Sequence, residues 1–233
     1  MSPYIAEILG TMILIMFGSS LLAGLTLNKT LNQGTNWIVV TLGWGFAVML
    51  GVYVSGPFSG GHLNPAVTIA LAVNGTFSWG KVPGYILAQV LGAFVGSAIT
   101  VVQYYPHFKV TPREIGTRGI FCTGPAIPTK LFNFLSEVIG TFAFMFCVLF
   151  IGVNKLADGL NPILLGALVA AIGMSFGPTT GYAINPARDF GPRLAYALLP
   201  IPNKSDPEWS YAWIPILGPI VGSILAVAIY NLV

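Results

Sequence analysis

Two tripeptides hold most of the polar chemistry that an otherwise apolar chain offers. They are Asn64-Pro65-Ala66 and Asn185-Pro186-Ala187. The two asparagines are 121 residues apart, and each follows a glycine-containing stretch and precedes a run rich in Ala, Leu and Ile. Asparagine followed by proline is typical of a helix start, because the asparagine caps free backbone N–H groups and proline fits the first turn. We therefore predict a helix N-terminus, with an amide donor beside it, at both places.

Three charged side chains stand in apolar surroundings. Arg188 directly follows the second tripeptide, where the first has Val67, and an arginine inside a membrane-embedded motif is a candidate functional residue. Glu7 and Glu137 occupy matching sequences 130 residues apart. They could carry protons in a coupled transporter, or accept hydrogen bonds from the backbone of a non-helical segment, and their symmetric placement favours the second role. His62 is a candidate pH gate or a residue that lends only its carbonyl.

The composition indicates an integral membrane protein. The chain is 55% hydrophobic and 7% charged, whereas a soluble domain has about 25% charged residues. A net charge of +3, scattered along the chain, does not indicate a nucleic-acid partner. Cys122 and Cys147 lack metal-ligand spacing, and no nucleophile–base pair is evident. We therefore expect no catalytic residue, no metal and no cofactor.

Six apolar runs are long enough, or nearly so, for a bilayer crossing of about 20 residues. They are residues 5–27, 37–54, 82–102, 132–153, 163–176 and 211–232. Sequence matches at an offset of 130 residues relate the first and third runs to the fourth and sixth. Three crossings reverse the chain direction, so the halves form an inverted repeat. We predict a single all-α membrane domain over 1–233, with repeats of roughly 1–115 and 131–233.

The tripeptides must lie within the membrane as re-entrant segments. Residues 64–73 give about 15 Å of helix, half of a roughly 30 Å hydrocarbon core. We expect the preceding helix to end near Gly56-Pro57, because proline interrupts a helix. Inverted symmetry then brings two half-helices together, N-terminus to N-terminus, at the midplane. Free carbonyls beside them would form a line of acceptors along a cavity. These carbonyls belong to Gly60, Gly61, His62, Gly181, Tyr182 and Ala183.

These features together resemble the major intrinsic protein (aquaporin) family over essentially the whole chain. The resemblance rests on the paired Asn-Pro-Ala tripeptides, the 3+3 repeat, the two glutamates and Arg188. Asp189 and Arg193 after the second tripeptide are similar to the glycerol facilitator (aquaglyceroporin) branch. The resemblance implies six transmembrane helices plus two re-entrant half-helices, and a homotetramer with a pore in each protomer.

The resemblance also implies a selectivity filter of four residues, which are Trp44, Gly173, Tyr182 and Arg188. Water-selective relatives have histidine where Gly173 stands, so glycine implies a wider pore. Trp44 and Tyr182 would contact the CH face of a polyol, and Arg188 with the Tyr182 carbonyl would contact its hydroxyl groups. Glycerol facilitators usually have phenylalanine at the Tyr182 position, and the added hydroxyl could narrow the ring or make it more polar.

The sequence thus predicts a passive channel for glycerol and other small uncharged solutes that also conducts water and excludes ions and protons. A water-selective channel, or one mainly for dihydroxyacetone, urea, hydrogen peroxide or protonated lactic acid, stays open. A coupled secondary transporter would need an acidic group or ion site at the midplane. A non-conducting membrane protein would need a bulky residue at Gly173. An enzyme fits least.

Charge counting and the resemblance disagree about orientation. Six crossings put both termini on one side, and that side holds only Lys81 and Lys155 of the ten basic residues. The positive-inside rule alone would place this side outside. The resemblance implies cytoplasmic termini in a multi-pass protein of the cell membrane, and we follow it.

Overall fold

Eight α-helices build the structure, a computed structural model that describes residues 1–233. They are α1 (Pro3–Thr26), α2 (Trp37–Ser59), α3 (Pro65–Val73), α4 (Val82–Val110), α5 (Lys130–Gly152), α6 (Leu160–Thr180), α7 (Pro186–Leu198) and α8 (Trp213–Tyr230). Short 3₁₀ turns lie at Trp79–Lys81, Arg113–Ile115 and Thr117–Ile120. All helices except α3 and α7 are long and apolar enough to span a bilayer. The predicted class, six spans plus two half-helices, is confirmed.

The expected helix end at Gly56-Pro57 is wrong. Helix α2 continues through Pro57 to Ser59, and α6 continues through Pro178 to Thr180. Proline removes one backbone hydrogen bond but keeps a helical φ, and membrane helices tolerate it where neighbours re-satisfy the freed groups. A left-handed glycine ends each helix instead, Gly60 in the first half and Gly181 in the second. The same end in both halves is a consequence of the repeat.

In each half, two helices cross in direct backbone contact at a glycine. A Cβ atom added at Gly92 of α4 would lie 2.3 Å from the Ile8 carbonyl oxygen of α1. A Cβ atom added at its repeat partner, Gly222 of α8, would lie 2.3 Å from the Val138 carbonyl oxygen of α5. Small residues let helix backbones approach in this way, and no larger residue fits either crossing.

The two halves meet about a pseudo-two-fold axis. Gly45 of α2 and Gly166 of α6 are repeat partners at the 121-residue offset, and they face each other. A Cβ atom at Gly45 would lie 2.6 Å from the Gly166 carbonyl oxygen, and one at Gly166 would lie 2.7 Å from the Gly45 carbonyl oxygen. Reciprocal contact between equivalent residues means that the axis passes between them. The same axis relates α3 to α7.

Substituting a crossing glycine should destabilise the protein. We expect Gly222→Ala to lower the free energy of unfolding by about 1–3 kcal/mol, the usual cost of overpacking. Gly152→Ala is the matched control, because a Cβ atom there meets nothing within 4 Å. Denaturant titration of the purified proteins in detergent measures both. A Gly222→Ala protein as stable as wild type would contradict the backbone contact.

Candidate functional site

The two half-helices meet through a reciprocal brace of asparagines. The Asn64 Oδ1 accepts a hydrogen bond from the Ala66 N–H at 2.9 Å, and its Nδ2 donates to the Ile184 carbonyl at 2.8 Å. The Asn185 Oδ1 accepts from the Ala187 N–H at 3.0 Å, and its Nδ2 donates to the Leu63 carbonyl at 2.8 Å. Each side chain therefore caps its own helix and ties down the opposite loop. Each amide group keeps a second N–H for another partner.

The two buried glutamates satisfy the backbone of the re-entrant loops. Glu7 accepts hydrogen bonds from the N–H groups of His62 at 3.0 Å and Leu63 at 2.8 Å. Glu137 accepts from the N–H groups of Ala183 at 3.0 Å and Ile184 at 2.9 Å. These are the contacts that the hydrogen-bonding hypothesis expects. Both carboxylates face the loops, and neither borders the cavity that is described below.

Hydroxyl groups complete this support in both halves. The Ser59 Oγ donates to Glu7 at 2.6 Å, and the Thr180 Oγ1 donates to Glu137 at 2.7 Å. The Gln89 Nε2 donates a hydrogen bond to Glu7 at 2.8 Å and another to the Thr68 hydroxyl at 2.9 Å. The sequence analysis missed all three. Ser59 and Thr180 are repeat partners, so the repeat could have found them, whereas Gln89 has a proline opposite.

Both loops reach the midplane through left-handed backbone. Positive φ values occur at Gly60 (87°), Gly61 (67°) and Leu63 (52°), and at the equivalent Gly181 (82°), Tyr182 (39°) and Ile184 (43°). Non-glycine residues rarely adopt this conformation, and where they do it often marks a functional site. Side chains and backbone of the protein donate no hydrogen bond to six carbonyls of these loops. They are those of Gly60, Gly61, His62, Gly181, Tyr182 and Ala183.

A cavity of about 500 Å³ passes through the meeting point of the half-helices. It extends from Trp44, Tyr182 and Arg188 past Asn64 and Asn185, and on toward the side that holds both chain termini. Asn74, Asn161 and Tyr230 border it there. Every predicted filter and carbonyl residue borders the cavity except Gly173 and Gly181, and of the two tripeptides only the asparagines border it.

Arg188 is fixed at one end of the cavity. Its Nη1 donates to the Phe121 carbonyl at 3.2 Å, and its guanidinium carbon lies 4.0 Å from the centre of the Trp44 ring. A guanidinium above a tryptophan face is a favourable cation–π contact. Arg188 has five N–H groups and uses one of them on Phe121, so the others can bind a passing molecule. The Phe121 carbonyl could not be found from sequence, because a backbone oxygen in a loop leaves no pattern.

Gly173 makes room for an aromatic ring rather than directly for solute. A Cβ atom at Gly173 would lie 2.7 Å from the Tyr182 Cζ, so the space above this glycine is filled. The Tyr182 hydroxyl oxygen is itself buried and has no hydrogen-bond partner. Leaving a buried hydroxyl unpaired costs about 1–3 kcal/mol. The expectation that this hydroxyl makes the filter more polar therefore does not hold.

Asp189 and Arg193 anchor the loops at this end of the cavity. The Arg193 Nε and the Asp189 Oδ1 are 2.8 Å apart, and both side chains are fully buried. Asp189 also accepts hydrogen bonds from the N–H and the hydroxyl of Thr123, each at 2.7 Å, and Arg193 donates to the Glu208 carbonyl. Asp189 therefore pairs with Arg193, four residues along the same helix. Because Thr123 follows Phe121 closely, this pair also holds the carbonyl that binds Arg188.

The loop that carries Phe121 also contains a buried free cysteine, Cys122. Burial raises the pKa of the Cys122 thiol to about 12. The thiol stays protonated at neutral pH and is a poor nucleophile.

Breaking the buried Asp189–Arg193 pair should destabilise the protein far more than breaking an exposed ion pair. We expect Arg193→Ala to lower the free energy of unfolding by about 3–5 kcal/mol, because it leaves the Asp189 charge buried and unpaired. The control is Arg118→Ala, since Arg118 pairs with Glu208 at 2.9 Å with both side chains partly exposed. That pair should contribute at most about 1 kcal/mol. Equal losses, measured by denaturation in detergent, would contradict the anchoring role.

Comparison with known proteins agrees with this geometry. The model of the family described as major intrinsic protein matches residues 1–230. A probable glycerol uptake facilitator protein of Thermotoga maritima is 56% identical over 99% of both chains. The glycerol uptake facilitator protein of Bacillus subtilis is 51% identical over 99% of this chain and 84% of its own length. The X-ray structure of the aquaglyceroporin from Plasmodium falciparum superposes with a TM-score of 0.85 at 32% identity, covering 98% of this chain and 94% of that one. The chain is an integral membrane protein that belongs to the major intrinsic protein family.

Proposed function

We propose that the protein is a passive channel for glycerol and other small uncharged solutes. The observation that carries this proposal is the amphipathic end of the cavity, where the Trp44 and Tyr182 rings lie beside the Arg188 guanidinium. A polyol has one face of CH groups and one of hydroxyl groups, so it matches such a wall. The Thermotoga and Bacillus relatives are named as glycerol uptake facilitators, and the Plasmodium neighbour as an aquaglyceroporin.

The unpaired loop groups replace the hydrogen bonds that a solute loses on leaving water. Five of the six free carbonyls belong to residues that border the cavity, and these carbonyls accept from solute hydroxyl groups. At the centre, the spare N–H groups of Asn64 and Asn185 donate to the solute oxygens. Glycerol hydroxyls both donate and accept, so one molecule can use both sets in turn. Water has the same capacity and passes by the same route.

Ions and protons are excluded by electrostatics and by desolvation. The N-termini of α3 and α7 both point at the midplane, and each contributes a partial positive charge of roughly half an elementary charge. Arg188 adds a full charge at one end, and together they repel cations. Anions would have to shed their water for a wall of mostly apolar side chains, which is costly.

Passive transport is favoured over coupled transport by the position of the acidic side chains. No Asp or Glu side chain borders the cavity, and both glutamates of the repeat are occupied by loop N–H groups. A proton- or sodium-coupled carrier would need an acidic group at the midplane that the solute pathway can reach. The two amides at the midplane are neutral and cannot serve as one.

The channel is proposed to work as a single domain in a cell membrane with cytoplasmic termini and, as the family implies, as a homotetramer. In that orientation the Trp44–Tyr182–Arg188 end faces outside, because α2 and α6 place Trp37 and Thr180 on the side opposite the termini. Solute would then meet the filter before it reaches the asparagine brace.

Proteoliposome swelling tests the function directly. Under an inward glycerol gradient, we expect vesicles with the protein to shrink and then re-swell much faster than empty vesicles, as followed by stopped-flow light scattering. A sucrose gradient measures water flux in the same preparation. Fast water flux without re-swelling in glycerol would make the protein a water-selective channel, and no flux of either would overturn the channel proposal.

Removing the Arg188 charge should open the channel to protons. We expect Arg188→Ala to raise proton flux about tenfold or more, a fall of at least 1.4 kcal/mol in the barrier. A pH-sensitive dye inside vesicles, with a potassium diffusion potential, measures this flux. The matched control is Arg113→Ala, because Arg113 is exposed in a loop away from the cavity. Equal proton flux in both variants would mean that Arg188 does not contribute to proton exclusion.

A further inference from the structure

The ring of Tyr182 is seated in a slot that the cavity itself does not reach. The slot is formed by Gly173 and Gly177 on α6 and by the side chain of Trp37 on α2, and none of these residues borders the cavity. We propose that this slot sets the width of the narrowest section and thereby the largest solute that passes. The inference rests on the proposed channel function, and it makes Gly177 and Trp37 positioning residues that act through Tyr182.

The floor of the slot is bare helix backbone. A Cβ atom added at Gly177 would lie 2.6 Å from the Tyr182 Cδ1, and one at Gly173 would lie 2.7 Å from the Cζ. The two glycines are four residues apart and so lie on the same face of α6, one turn from each other. The ring therefore rests along this face over its length, from Cδ1 to Cζ, and no side chain fits beneath it.

Trp37 forms the side wall of the slot. Its ring centre lies 6.0 Å from that of Tyr182 at an interplanar angle of 74°, an edge-to-face contact. Its Nε1 donates to the Gly173 carbonyl at 3.0 Å, so the wall is bonded to the floor. A Cβ atom at Gly177 would also lie 2.7 Å from the Trp37 Cζ2. The slot is therefore closed below by α6 and on one side by Trp37.

The slot exists in only one half of the repeat. Where the second half has Gly173, Gly177 and Tyr182, the first half has Val52, Gly56 and Gly61. Gly61 has no ring to seat, and a Cβ atom at Gly56 meets only the Val52 Cγ1, at 3.8 Å. Tyr182 holds a left-handed backbone (φ 39°) and an unpaired buried hydroxyl, both of which are unfavourable. The slot retains the ring in spite of them, and it does so beside Arg188.

The ring position should matter more for larger solutes. We expect a group added to the floor of the slot to push the Tyr182 ring toward the lumen, where Trp44 and Arg188 form the rest of the proposed filter. Glycerol is wider than water, so it is blocked first. The ratio of glycerol to water permeability therefore reports on the slot, whereas general damage to the channel lowers both permeabilities together.

The test compares Gly177→Ala with its repeat partner Gly56→Ala in the same proteoliposome assay. We expect Gly177→Ala to lower the ratio of glycerol to water permeability about tenfold and Gly56→Ala to leave it at the wild-type value. Trp37→Ala should act in the opposite direction, because the freed space lets the ring retreat, and a five-carbon polyol such as xylitol should then pass.

A double variant separates positioning from structural damage. Once Tyr182→Ala has removed the ring, adding Gly177→Ala should change the glycerol permeability no further. The slot proposal would be overturned if Gly177→Ala kept the wild-type ratio of glycerol to water permeability. It would also be overturned if the double variant lost further glycerol permeability. If Gly177→Ala does not fold, the Trp37→Ala result decides, and exclusion of xylitol there would overturn it. A wild-type protein that passes no glycerol would instead refute the proposed function.

Discussion

Non-helical backbone in the middle of a bilayer needs hydrogen-bond acceptors for its N–H groups. The architecture of this chain follows from how the protein supplies them. Lipid offers no hydrogen bonds, so an exposed loop at that depth would cost several kcal/mol for each free group. Glu7 and Glu137 take the N–H groups of the loops, and Asn64 and Asn185 cap the half-helices and tie each loop to the other. What remains free on the loops is mainly carbonyl oxygens, and five of these six carbonyls belong to residues that border the cavity.

The same brace explains why the chain is built from two inverted copies. Each half-helix is too short to cross the membrane, and its N-terminus would end in hydrocarbon if it stood alone. The inverted partner supplies the carbonyl that each asparagine requires, Ile184 for Asn64 and Leu63 for Asn185. Neither half can be completed without the other. The crossing of Gly45 with Gly166 on the pseudo-two-fold axis brings the halves close enough for this exchange.

Selectivity, by contrast, is proposed to arise where the two copies differ. Arg188 stands opposite Val67 in the repeat, Tyr182 opposite Gly61, and Gly173 opposite Val52. Arg188 and Tyr182 border one end of the cavity beside the Trp44 ring, and Gly173 makes room for the Tyr182 ring. The symmetric parts thus form a hydrogen-bonded pathway, and the asymmetric parts form its proposed filter. Symmetry alone would produce the same chemistry at both ends of the pore.

The sequence by itself determined the class, the repeat and the half-helices. Composition excluded a water-facing surface, the offsets of 121 and 130 residues revealed the inversion, and Asn-Pro marked both helix starts. These features are local or periodic, so they can be recognised in one dimension. Helix ends were less well predicted, because the left-handed Gly60 and Gly181, and not Pro57 and Pro178, end the helices.

Only the tertiary structure decided how the filter is held. The Phe121 carbonyl on Arg188, the Thr123 groups on Asp189 and the ring of Tyr182 over Gly173 and Gly177 all join residues of different segments of the chain. None leaves a spacing pattern, since each depends on which backbone surfaces the helix crossings bring together. Gly173 shows the difference most clearly. Its identity was visible in the sequence, but the space that it provides belongs to a neighbouring ring, because packing distributes space among all the side chains in contact.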